Sequence, residues 1–455
     1  MSMGKYFGTD GFRGEAGVTL TSEQAYAIGR FLGWYYRKER NGRVKVAIGK
    51  DTRRSSYMVE YAVVAGLTAS GADAYMLHVT TTPSVSYVVS GEDFDCGIMI
   101  SASHNPYYDN GIKLINGRGE KMEDAVLELV ERYLDGERES LGIDGEIPGA
   151  SGEELGRIVD DSAGRNRYIG YLISLSSHSF RPFRVGLDCA NGSAWMIAKS
   201  VFEALGARVY AINNDPDGLN INRNAGSTHI ESLVDHVLKN RLDVGFAFDG
   251  DADRCIAVDE SGEVVNGDHL LYILARQLKR EDALTNNTVV TTVMSNLGLY
   301  RALEREGISY VQTSVGDRFI YENMAQTGNA IGGEQSGHII LGKYATTGDG
   351  ILTAIKVMDA IVGEKLPLSK LAEPVVMYPQ ISESLRVESK EAVLADPEVN
   401  AALASVKEKL GDGGRILLRA SGTEPVIRIM AEAEDTDTCR RAVEGLKNVI
   451  ARRGF

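Results

Sequence analysis

Residues 96–106 have the sequence CGIMISASHNP, an apolar run followed at once by a polar loop. The apolar part, residues 96–100, has the length and composition of a buried strand. The polar part displays two hydroxyls and an imidazole, and the turn-rich segment YYDNG follows it at 107–111. A loop at the end of a strand, on a rigid sheet, suits a serine nucleophile. The alternative is a surface turn whose Ser and Asn side chains satisfy backbone groups.

Strands and helices alternate on both sides of this stretch. Apolar runs predict strands at 44–49 and 74–77, and amphipathic patterns predict helices at 22–39, 57–70 and 122–135. Such alternation is typical of a parallel or mixed sheet with crossover helices. The sequence therefore predicts the α/β fold class.

Breaks in this alternation divide the chain into domains. A length of 455 residues alone suggests roughly three domains of about 150 residues each. A stretch rich in Gly, Glu and Ser at 136–157 is the first break, a second α/β unit ends near residue 259, and GEKLP at 363–367 is the last predicted linker. We expect three α/β domains and a smaller α+β domain, at 1–156, 157–259, 260–366 and 367–455.

Composition argues against several classes of protein. The net charge of −14 disfavours a nucleic-acid surface or an anionic membrane surface, although a basic pocket for a small anion is compatible with it. No C-x-x-C pair occurs among the four cysteines, which favours buried thiols over disulfides or a zinc site. Neither a secretory signal nor an apolar run of about 18 residues is present. We expect a cytoplasmic protein with no nucleic-acid or membrane partner, and a homodimer stays open.

Three aspartates at every second position, Asp249, Asp251 and Asp253, follow the apolar run VGFAF at 244–248. Hard cations such as Mg²⁺ take oxygen ligands, and carboxylates held together repel one another without a cation. The spacing also fits the start of an EF-hand, but Arg254 stands where that loop needs Gly, and the flanks are predicted strands rather than helices. A Mg²⁺ site is favoured over an EF-hand and over a solvated acidic turn.

Three further loops contain groups that bind anions or hydroxyls. RASGTEP at 419–425, followed by Arg428, can form a phosphate cradle, although a polar hairpin explains it equally well. GGEQSGH at 332–338 suits recognition of sugar hydroxyls or an amine. The overlapping residues 337–343 resemble a P-loop but lack the Ser or Thr that follows its Lys, which argues against an ATP site. GTDGFRG at 8–14 is a glycine-rich loop that contains one Arg.

Six segments together resemble the motifs of the α-D-phosphohexomutase family, in the family's order along the chain. They are FGTDGFRG at 7–14, ISASHNP at 100–106, DNGIK at 109–113, DGDADR at 249–254, EQSGH at 334–338 and RASGTEP at 419–425. The resemblance implies four domains around a central cleft. The segments 100–113 and 419–430, together with Gln335, are similar to the branch that interconverts glucosamine 6-phosphate and glucosamine 1-phosphate for amino-sugar nucleotide and cell-wall precursor synthesis. FGTDG at 7–11 and TTGDG at 346–350 resemble that branch more specifically than Gln335 alone. The alternative within the family is a phosphomannomutase or phosphoglucomutase.

The same resemblance implies roles for individual residues. It identifies Ser103, rather than Ser101, as a phosphorylated nucleophile whose phosphate completes a Mg²⁺ shell with Asp249, Asp251 and Asp253. A sugar 1,6-bisphosphate is then both the intermediate and the activator of the phosphoserine. Further catalytic candidates are His104, Arg13 and Lys113, the last also as a proton shuttle if its surroundings lower its pKa. The expected substrate-binding residues are Arg254, Glu334, Ser336, Arg419, Ser421, Gly422, Thr423 and Arg428.

Other chemistries fit the sequence less well. A phosphatase would use the same Ser and Mg²⁺ but gives no reason for the loop at 419–428. A serine hydrolase would need a G-x-S-x-G motif, which does not surround Ser103. A Ca²⁺-binding or sugar-phosphate-sensing protein without catalysis is disfavoured, because Ser103, Lys113 and all three aspartates are present.

Overall fold

The computed structural model describes residues 4–40, 42–421 and 426–455, with the side chain of Glu39 left aside. The chain forms two compact units, one made of residues up to 294 together with 309–373, the other of residues 295–308 together with 374–455. Four sheets of seven, five, four and three strands contain all the paired strands that the described residues form. The α/β fold class predicted from the alternation of strands and helices is confirmed.

The first sheet is mixed, with β1 and β2 at one edge and β7 at the other. Its strands are β1 (Phe7–Gly8), β2 (Gly11–Glu15), β3 (Lys45–Lys50), β4 (Asp73–Val79), β5 (Cys96–Ile100), β6 (Asp109–Asn116) and β7 (Ile158–Asp160), in the order β1-β2-β6-β5-β3-β4-β7. Strands β3, β4, β5 and β7 are parallel, whereas β1, β2 and β6 pair antiparallel. Its helices are α1 (Ser22–Glu39), α2 (Arg54–Ala69), α3 (Thr82–Gly91) and α4 (Asp124–Leu134).

The central strand β5 is the strand predicted at 96–100, and each of its residues is buried. It is buried on both faces because α3 packs on one side of the sheet while α1 and α2 belong to the hydrophobic core on the other. An uninterrupted apolar run is the composition that a strand buried on both faces requires. The polar loop after β5 therefore begins at a fixed point in the middle of the sheet.

The second sheet carries the three aspartates at the end of one of its central strands. Its strands are β8 (Arg184–Asp188), β9 (Arg208–Ile212), β10 (Val244–Phe248), β11 (Cys255–Asp259) and β12 (Val264–Val265), in the order β12-β11-β10-β8-β9. Its helices are α5 (Ser162–Ser174), which precedes β8, α6 (Ala194–Ala204) and α7 (Glu231–Asn240). The pair β10 and β11 is antiparallel and surrounds the acidic loop, so strands rather than the helices of an EF-hand flank it.

The third and fourth sheets complete the chain. The third has β13 (Thr288–Thr292), β14 (Ser309–Thr313), β15 (Ile331–Gly333) and β16 (Ile339–Leu341), with helices α8 (Gly267–Arg280), α9 (Leu297–Arg305), α10 (Asp317–Thr327), α11 (Gly350–Glu364) and α12 (Leu368–Ala372) along the same stretch of chain. The fourth is antiparallel, with β17 (Gln380–Arg386), β18 (Gly414–Ala420) and β19 (Val426–Ala433), and with helices α13 (Lys390–Ala395), α14 (Pro397–Leu410) and α15 (Thr436–Arg452). Helix α9 belongs to the same compact unit as the fourth sheet.

Two short edge strands lie beyond the domain limits drawn from the sequence. Strand β7 follows residue 156 yet pairs with β4 in the first sheet, and β12 follows residue 259 yet pairs with β11 in the second. Strands of three and two residues carry too little periodicity to be recognised from sequence. The limits of the four domains themselves stay a prediction.

The four cysteines are buried free thiols, as their spacing predicted. Within the described residues, no helix combines the length and the apolar character needed to cross a membrane.

Helices α1 and α2 approach each other closely because glycine occupies the contact on both. A Cβ at Gly66 of α2 would lie 2.2 Å from the carbonyl oxygen of Tyr26, and a Cβ at Gly29 of α1 would lie 2.2 Å from that of Val63. Both contacts are with backbone atoms, which cannot turn aside as a side chain can. The two helices can therefore pack at this distance only without side chains there.

We expect Gly66→Ala to destabilise the protein, because the helices must separate to admit the methyl group, at a cost of about 1–3 kcal/mol. The matched control is Gly170→Ala in helix α5, where nothing lies within 4 Å of the added Cβ. That change should stabilise by about 0.5–1 kcal/mol through helix propensity. Thermal and denaturant unfolding measure both, and equal effects at the two positions would contradict the packing argument.

Candidate active site

The loop after β5 presents Ser103 and uses Ser101 to hold its shape. The N–H of Ser103 donates to Ser101 Oγ at 2.9 Å, and Ser101 Oγ donates to Asp51 Oδ2 at 2.8 Å. Ser103 has a left-handed backbone with φ of 51°, and its own Oγ donates to Asp249 Oδ2 at 2.5 Å. The hydroxyl of Ser103 therefore faces the acidic loop, whereas that of Ser101 is engaged within its own sheet.

The three aspartates after β10 converge, and each is buried. One oxygen from each lies within 4.8 Å of the others. A Cβ at Gly250 would lie 2.4 Å from the carbonyl oxygen of Ser103, so only glycine allows the acidic loop and the Ser103 loop to meet this closely. Burial and the charges of its two neighbours raise the pKa of Asp249 well above its usual range.

This donor set fits a hard divalent cation. Asp251 Oδ1 and Asp253 Oδ1 are buried without a hydrogen-bond partner among the described residues. Buried carboxylate oxygens are normally paired, and Mg²⁺ takes oxygen ligands of this kind. Asp249, Asp251 and Asp253 are thus the residues that could hold Mg²⁺, with Ser103 Oγ beside them.

Lys113 supplies a fixed positive charge to the same cluster. From strand β6, its Nζ donates to Asp251 Oδ2 at 2.6 Å and to Asp253 Oδ2 at 3.2 Å. Burial alone would lower the pKa of Lys113, but the two carboxylates outweigh it and raise that pKa above its usual value. Lys113 is thus a cation paired with two of the three aspartates, and its role as a proton shuttle stays a prediction.

His104 is neutral and serves as an acceptor for Arg254. Its burial, reinforced by the charges of Arg254 and Arg13, lowers the pKa of His104 to about 4. Its Nδ1 lies 3.3 Å from Arg254 Nη1 and 3.3 Å from Ser103 Oγ. A guanidinium can only donate, so Nδ1 accepts from Arg254, while the single proton of Ser103 is directed to Asp249. His104 thus holds Arg254 in place.

Cations gather around Asp10, in the loop between β1 and β2. Arg13 Nη2 lies 3.3 Å from Asp10 Oδ2, and Lys121 Nζ lies 3.5 Å from Asp10 Oδ1. Burial would raise the pKa of Asp10, but Lys121, Arg13, Lys113 and Arg254 together hold it below its usual range. Lys121 also bonds to Asp317 and Lys113 to Asp251, so these cations are shared among several carboxylates.

The hairpin between β15 and β16 places the EQSGH residues against the acidic loop. Glu334 Oε1 accepts from the N–H of Gly316 at 3.0 Å, and Ser336 Oγ is buried without a hydrogen-bond partner among the described residues. His338 is buried, and although burial lowers its pKa, Asp317 and Asp253 outweigh that effect and raise it. Glu334 and Ser336 keep polar atoms for a ligand, whereas His338 lies between two carboxylates, with Nδ1 3.8 Å from Asp253 Oδ2 and Nε2 3.4 Å from Asp317 Oδ2.

The TTGDG motif, at 346–350, bonds to His338 and to the acidic loop. The N–H of Gly348 donates to His338 Nε2 at 3.0 Å, and the N–H of Gly350 donates to the carbonyl oxygen of Ala252 at 3.0 Å. Asp349 caps helix α11 by accepting from the N–H of Leu352 at 2.9 Å. The motif thus connects the acidic loop to the start of a buried helix.

Arg419 and Arg428 lie directly opposite each other on β18 and β19, in the second compact unit. Side chains of directly opposed residues share a face, and like charges there repel. Burial and the charge of Arg428 lower the pKa of Arg419. Ser421 is buried at the end of β18, and the predicted site residues Gly422 and Thr423 lie outside the described residues. A bound anion would offset the repulsion between these two positively charged side chains.

Several residues of the site were missed by sequence reasoning. Asp51 and Arg53 follow β3 as the Ser103 loop follows β5, and because β3 and β5 are parallel neighbours, both loops lie at one edge of the sheet. The strand-end rule that identified Ser103 could have found them. The same rule applies to Asp317, which follows β14. No comparable sequence signal marked Asn222 or Thr82, whose hydroxyl donates to Asp251 Oδ2.

Comparison with protein families matches models described as phosphoglucomutase/phosphomannomutase domains along most of the chain. Alpha/beta/alpha domain I matches residues 4–140, domain II residues 166–262, domain III residues 266–378 and the C-terminal domain residues 384–448.

Among solved structures, a phosphoglucomutase/phosphomannomutase family protein of Burkholderia thailandensis has a TM-score of 0.82 at 24% identity and covers 100% of this chain and 99% of its own. N-acetylphosphoglucosamine mutase of Aspergillus fumigatus, solved with GlcNAc-6P and magnesium, has a TM-score of 0.71 at 17% identity, covering 99% of this chain and 96% of its own. At these identities, the two structures show a shared fold.

Curated relatives are similar along their whole length. The phosphoglucosamine mutase of Lachnospira eligens is 61% identical over 454 residues, which is 100% of both chains. That of Bacillus subtilis is 46% identical over 448 residues, 98% of each. With four matching domain models and relatives of this identity, the chain belongs to the phosphohexomutase family, in its bacterial phosphoglucosamine mutase branch.

Proposed function

We propose that this enzyme interconverts glucosamine 6-phosphate and glucosamine 1-phosphate through a phosphorylated Ser103 and a hexosamine 1,6-bisphosphate. The observation that carries the proposal is the hydrogen bond of Ser103 Oγ to Asp249 within a cluster of three buried aspartates and Lys113. The choice of sugar is supported by relatives 46–61% identical to this chain, which are phosphoglucosamine mutases.

The reaction is two phosphoryl transfers in opposite directions. In the first, the bond between phosphorus and Ser103 Oγ breaks as a bond to a sugar hydroxyl oxygen forms, and the proton of that hydroxyl ends on Ser103 Oγ, which gives the bisphosphate. In the second, the bond between the other phosphorus and its sugar oxygen breaks as a bond to Ser103 Oγ forms, and the Ser103 proton ends on the freed sugar oxygen. Transfer of this kind depends mainly on positioning and on neutralising charge.

Different residues of the site hold the metal, neutralise charge and bind the substrate. Mg²⁺ would be held by the three aspartates and an oxygen of the Ser103 phosphate, and it would supply charge neutralisation there. Lys113, Arg13 and Arg254 add positive charge around the reacting group, with His104 orienting Arg254. Glu334 and Ser336 bind sugar hydroxyls in either orientation of the intermediate. The non-reacting phosphate is bound by residues of the C-terminal domain: Arg419, Ser421, Gly422, Thr423 and Arg428.

We also propose a domain organisation, an activator and a location for the enzyme. We propose the four domains at 1–156, 157–259, 260–366 and 367–455, the first of them carrying the phosphoserine and the last the phosphate loop. A sugar 1,6-bisphosphate activates the enzyme by phosphorylating Ser103. Buried free thiols and a net charge of −14 support a cytoplasmic enzyme that acts on a small hexosamine phosphate, with no nucleic-acid or membrane partner. A homodimer stays a prediction.

The choice of sugar is tested with glucosamine, glucose and mannose 6-phosphates, each supplied with Mg²⁺ and a trace of glucose 1,6-bisphosphate. We expect kcat/KM for the glucosamine ester to exceed the others by at least about tenfold, because a site that pairs a polar substituent discriminates against analogues lacking it. Equal or faster turnover of the glucose or mannose ester would instead assign the enzyme to the phosphomannomutase/phosphoglucomutase alternative.

Ser103→Ala should remove phosphorylation by glucose 1,6-bisphosphate and lower kcat by about 10³-fold or more, since a nucleophile cannot be replaced by its neighbours. Intact-mass measurement before and after treatment follows the phosphate, and a coupled assay follows turnover. The control is Ser90→Ala, a change at an exposed serine at the end of α3, which should alter neither. A Ser103→Ala enzyme that stayed active would refute the assignment of the nucleophile.

The metal assignment is tested with Asp253→Asn and with a chelator. Chelation should abolish turnover, and added Mg²⁺ should restore it. Because Asp253 would be a direct ligand, Asp253→Asn should weaken Mn²⁺ binding, measured by electron paramagnetic resonance, by at least about tenfold, the loss that even outer partners of a metal ligand cause. Asp235→Asn, at an exposed position of α7, is the control. Unchanged Mn²⁺ affinity in Asp253→Asn would place the metal elsewhere.

A further inference from the structure

Arg53 is a fully buried cation that the proposed chemistry does not use. Its Nε donates to Asp51 Oδ2 at 2.8 Å, and the rest of its guanidinium faces the Ser103 loop. It donates to four carbonyl oxygens of that loop: from Nη2 to those of Ser103 and Asn105, each at 2.9 Å, and from Nη1 to that of Asp109 at 3.1 Å and to that of Pro106. One side chain thus fixes the backbone of the loop from residue 103 to residue 109.

Asn222 reaches the same loop from a different part of the chain. It lies between β9 and α7, next to the sheet that carries the aspartates. Its Nδ2 donates to the carbonyl oxygen of Ser103 at 2.8 Å and to that of Asn105 at 2.9 Å. The carbonyls of Ser103 and Asn105 therefore each accept from both Arg53 and Asn222, and the loop is held between the first and second sheets.

The backbone of Ser103 explains why such a clamp is needed. A left-handed conformation costs a residue with a side chain on the order of 1–3 kcal/mol and persists only where its surroundings enforce it. At Ser103 this conformation, with φ of 51°, directs Oγ to Asp249. Without the donors on its carbonyl, the loop could relax to an ordinary conformation and turn the hydroxyl away from the acidic loop.

We propose that Arg53 and Asn222 are positioning residues for phosphoryl transfer, which act by clamping the carbonyls of the Ser103 loop and so aim Ser103 Oγ at the acidic loop. Neither side chain contacts Oγ itself among the hydrogen bonds described for it. The inference rests on the proposed function in one respect, that Ser103 carries the phosphoryl group. Phosphoryl transfer is sensitive to position, because a misplacement of about 1 Å can lower the rate by about 10²-fold.

Asn222→Gly is the decisive variant. Asn222 itself has φ of 58°, a conformation that glycine adopts freely, so the change removes the donor without straining the backbone. Asn224→Gly is its matched control, because Asn224 is also left-handed, with φ of 49°, but is exposed. A second pair is Arg53→Lys, which keeps the charge and loses the fork of donors, against Arg54→Lys at an exposed neighbour.

Two rates are measured on each variant, together with its melting temperature. The first is the rate at which Ser103 takes a phosphoryl group from glucose 1,6-bisphosphate, followed by intact mass, and the second is kcat, with KM, in the mutase reaction. We expect both rates to fall by about tenfold in Asn222→Gly and by about 10²-fold in Arg53→Lys, with KM changed less than about threefold. The two controls should keep the parental rates.

The outcomes separate the clamp from the proposed function. If the parent enzyme phosphorylates Ser103 but turns over no hexosamine phosphate, the proposed function is wrong, and the first rate still tests the clamp. If the parent phosphorylates Ser103 and Asn222→Gly does so equally fast, the positioning roles are refuted. A fall in melting temperature with unchanged rates would likewise show a purely structural role. Asn222→Gly decides the question even if Arg53→Lys fails to fold.

Discussion

Electrostatic repulsion among Asp249, Asp251 and Asp253 is the constraint on which the rest of the site depends. Two carboxylate charges at about 4 Å repel by roughly 4 kcal/mol near a protein surface, and burial strengthens the effect. The protein opposes this repulsion with Lys113, which bonds to two of the three. The third, Asp249, has no such cation as a hydrogen-bond partner among the described residues, and burial, together with the charges of Asp253 and Asp251, raises its pKa.

The same constraint explains why cations are concentrated locally in an acidic protein. The net charge of −14 describes the molecule as a whole, whereas Lys121, Arg13, Lys113 and Arg254 all act on Asp10. Salt screens the surface charges within about 10 Å at moderate ionic strength, but it screens buried charges much less. The charge that a ligand meets in this region is therefore set by these local groups rather than by the net charge of the molecule.

The parts of the structure that could be predicted from sequence are those set by local patterns. Strands β5 and β10 follow from apolar runs, and the strands on both sides of the acidic loop distinguished it from an EF-hand. Strand β7 could not be found this way, since an edge strand of three residues has almost no pattern. The raised pKa of Lys113 was equally inaccessible, because it depends on carboxylates 138 and 140 residues away in the chain.

The ends of parallel strands explain which residues of the site were predicted from the sequence and which were missed. Strands β3 and β5 end at one edge of the first sheet, β8 and β10 at one edge of the second, and β13, β14 and β15 at one edge of the third. Asp51, Ser103, Asp249, Asp317 and Glu334 all follow such ends. A pattern of strands thus predicts which loops can carry chemistry. It does not predict how a loop is held, because that depends on donors such as Asn222, 119 residues from the carbonyl it binds. The direction of the Ser103 hydroxyl is therefore a property of the packed fold, and only the residue type belongs to the motif.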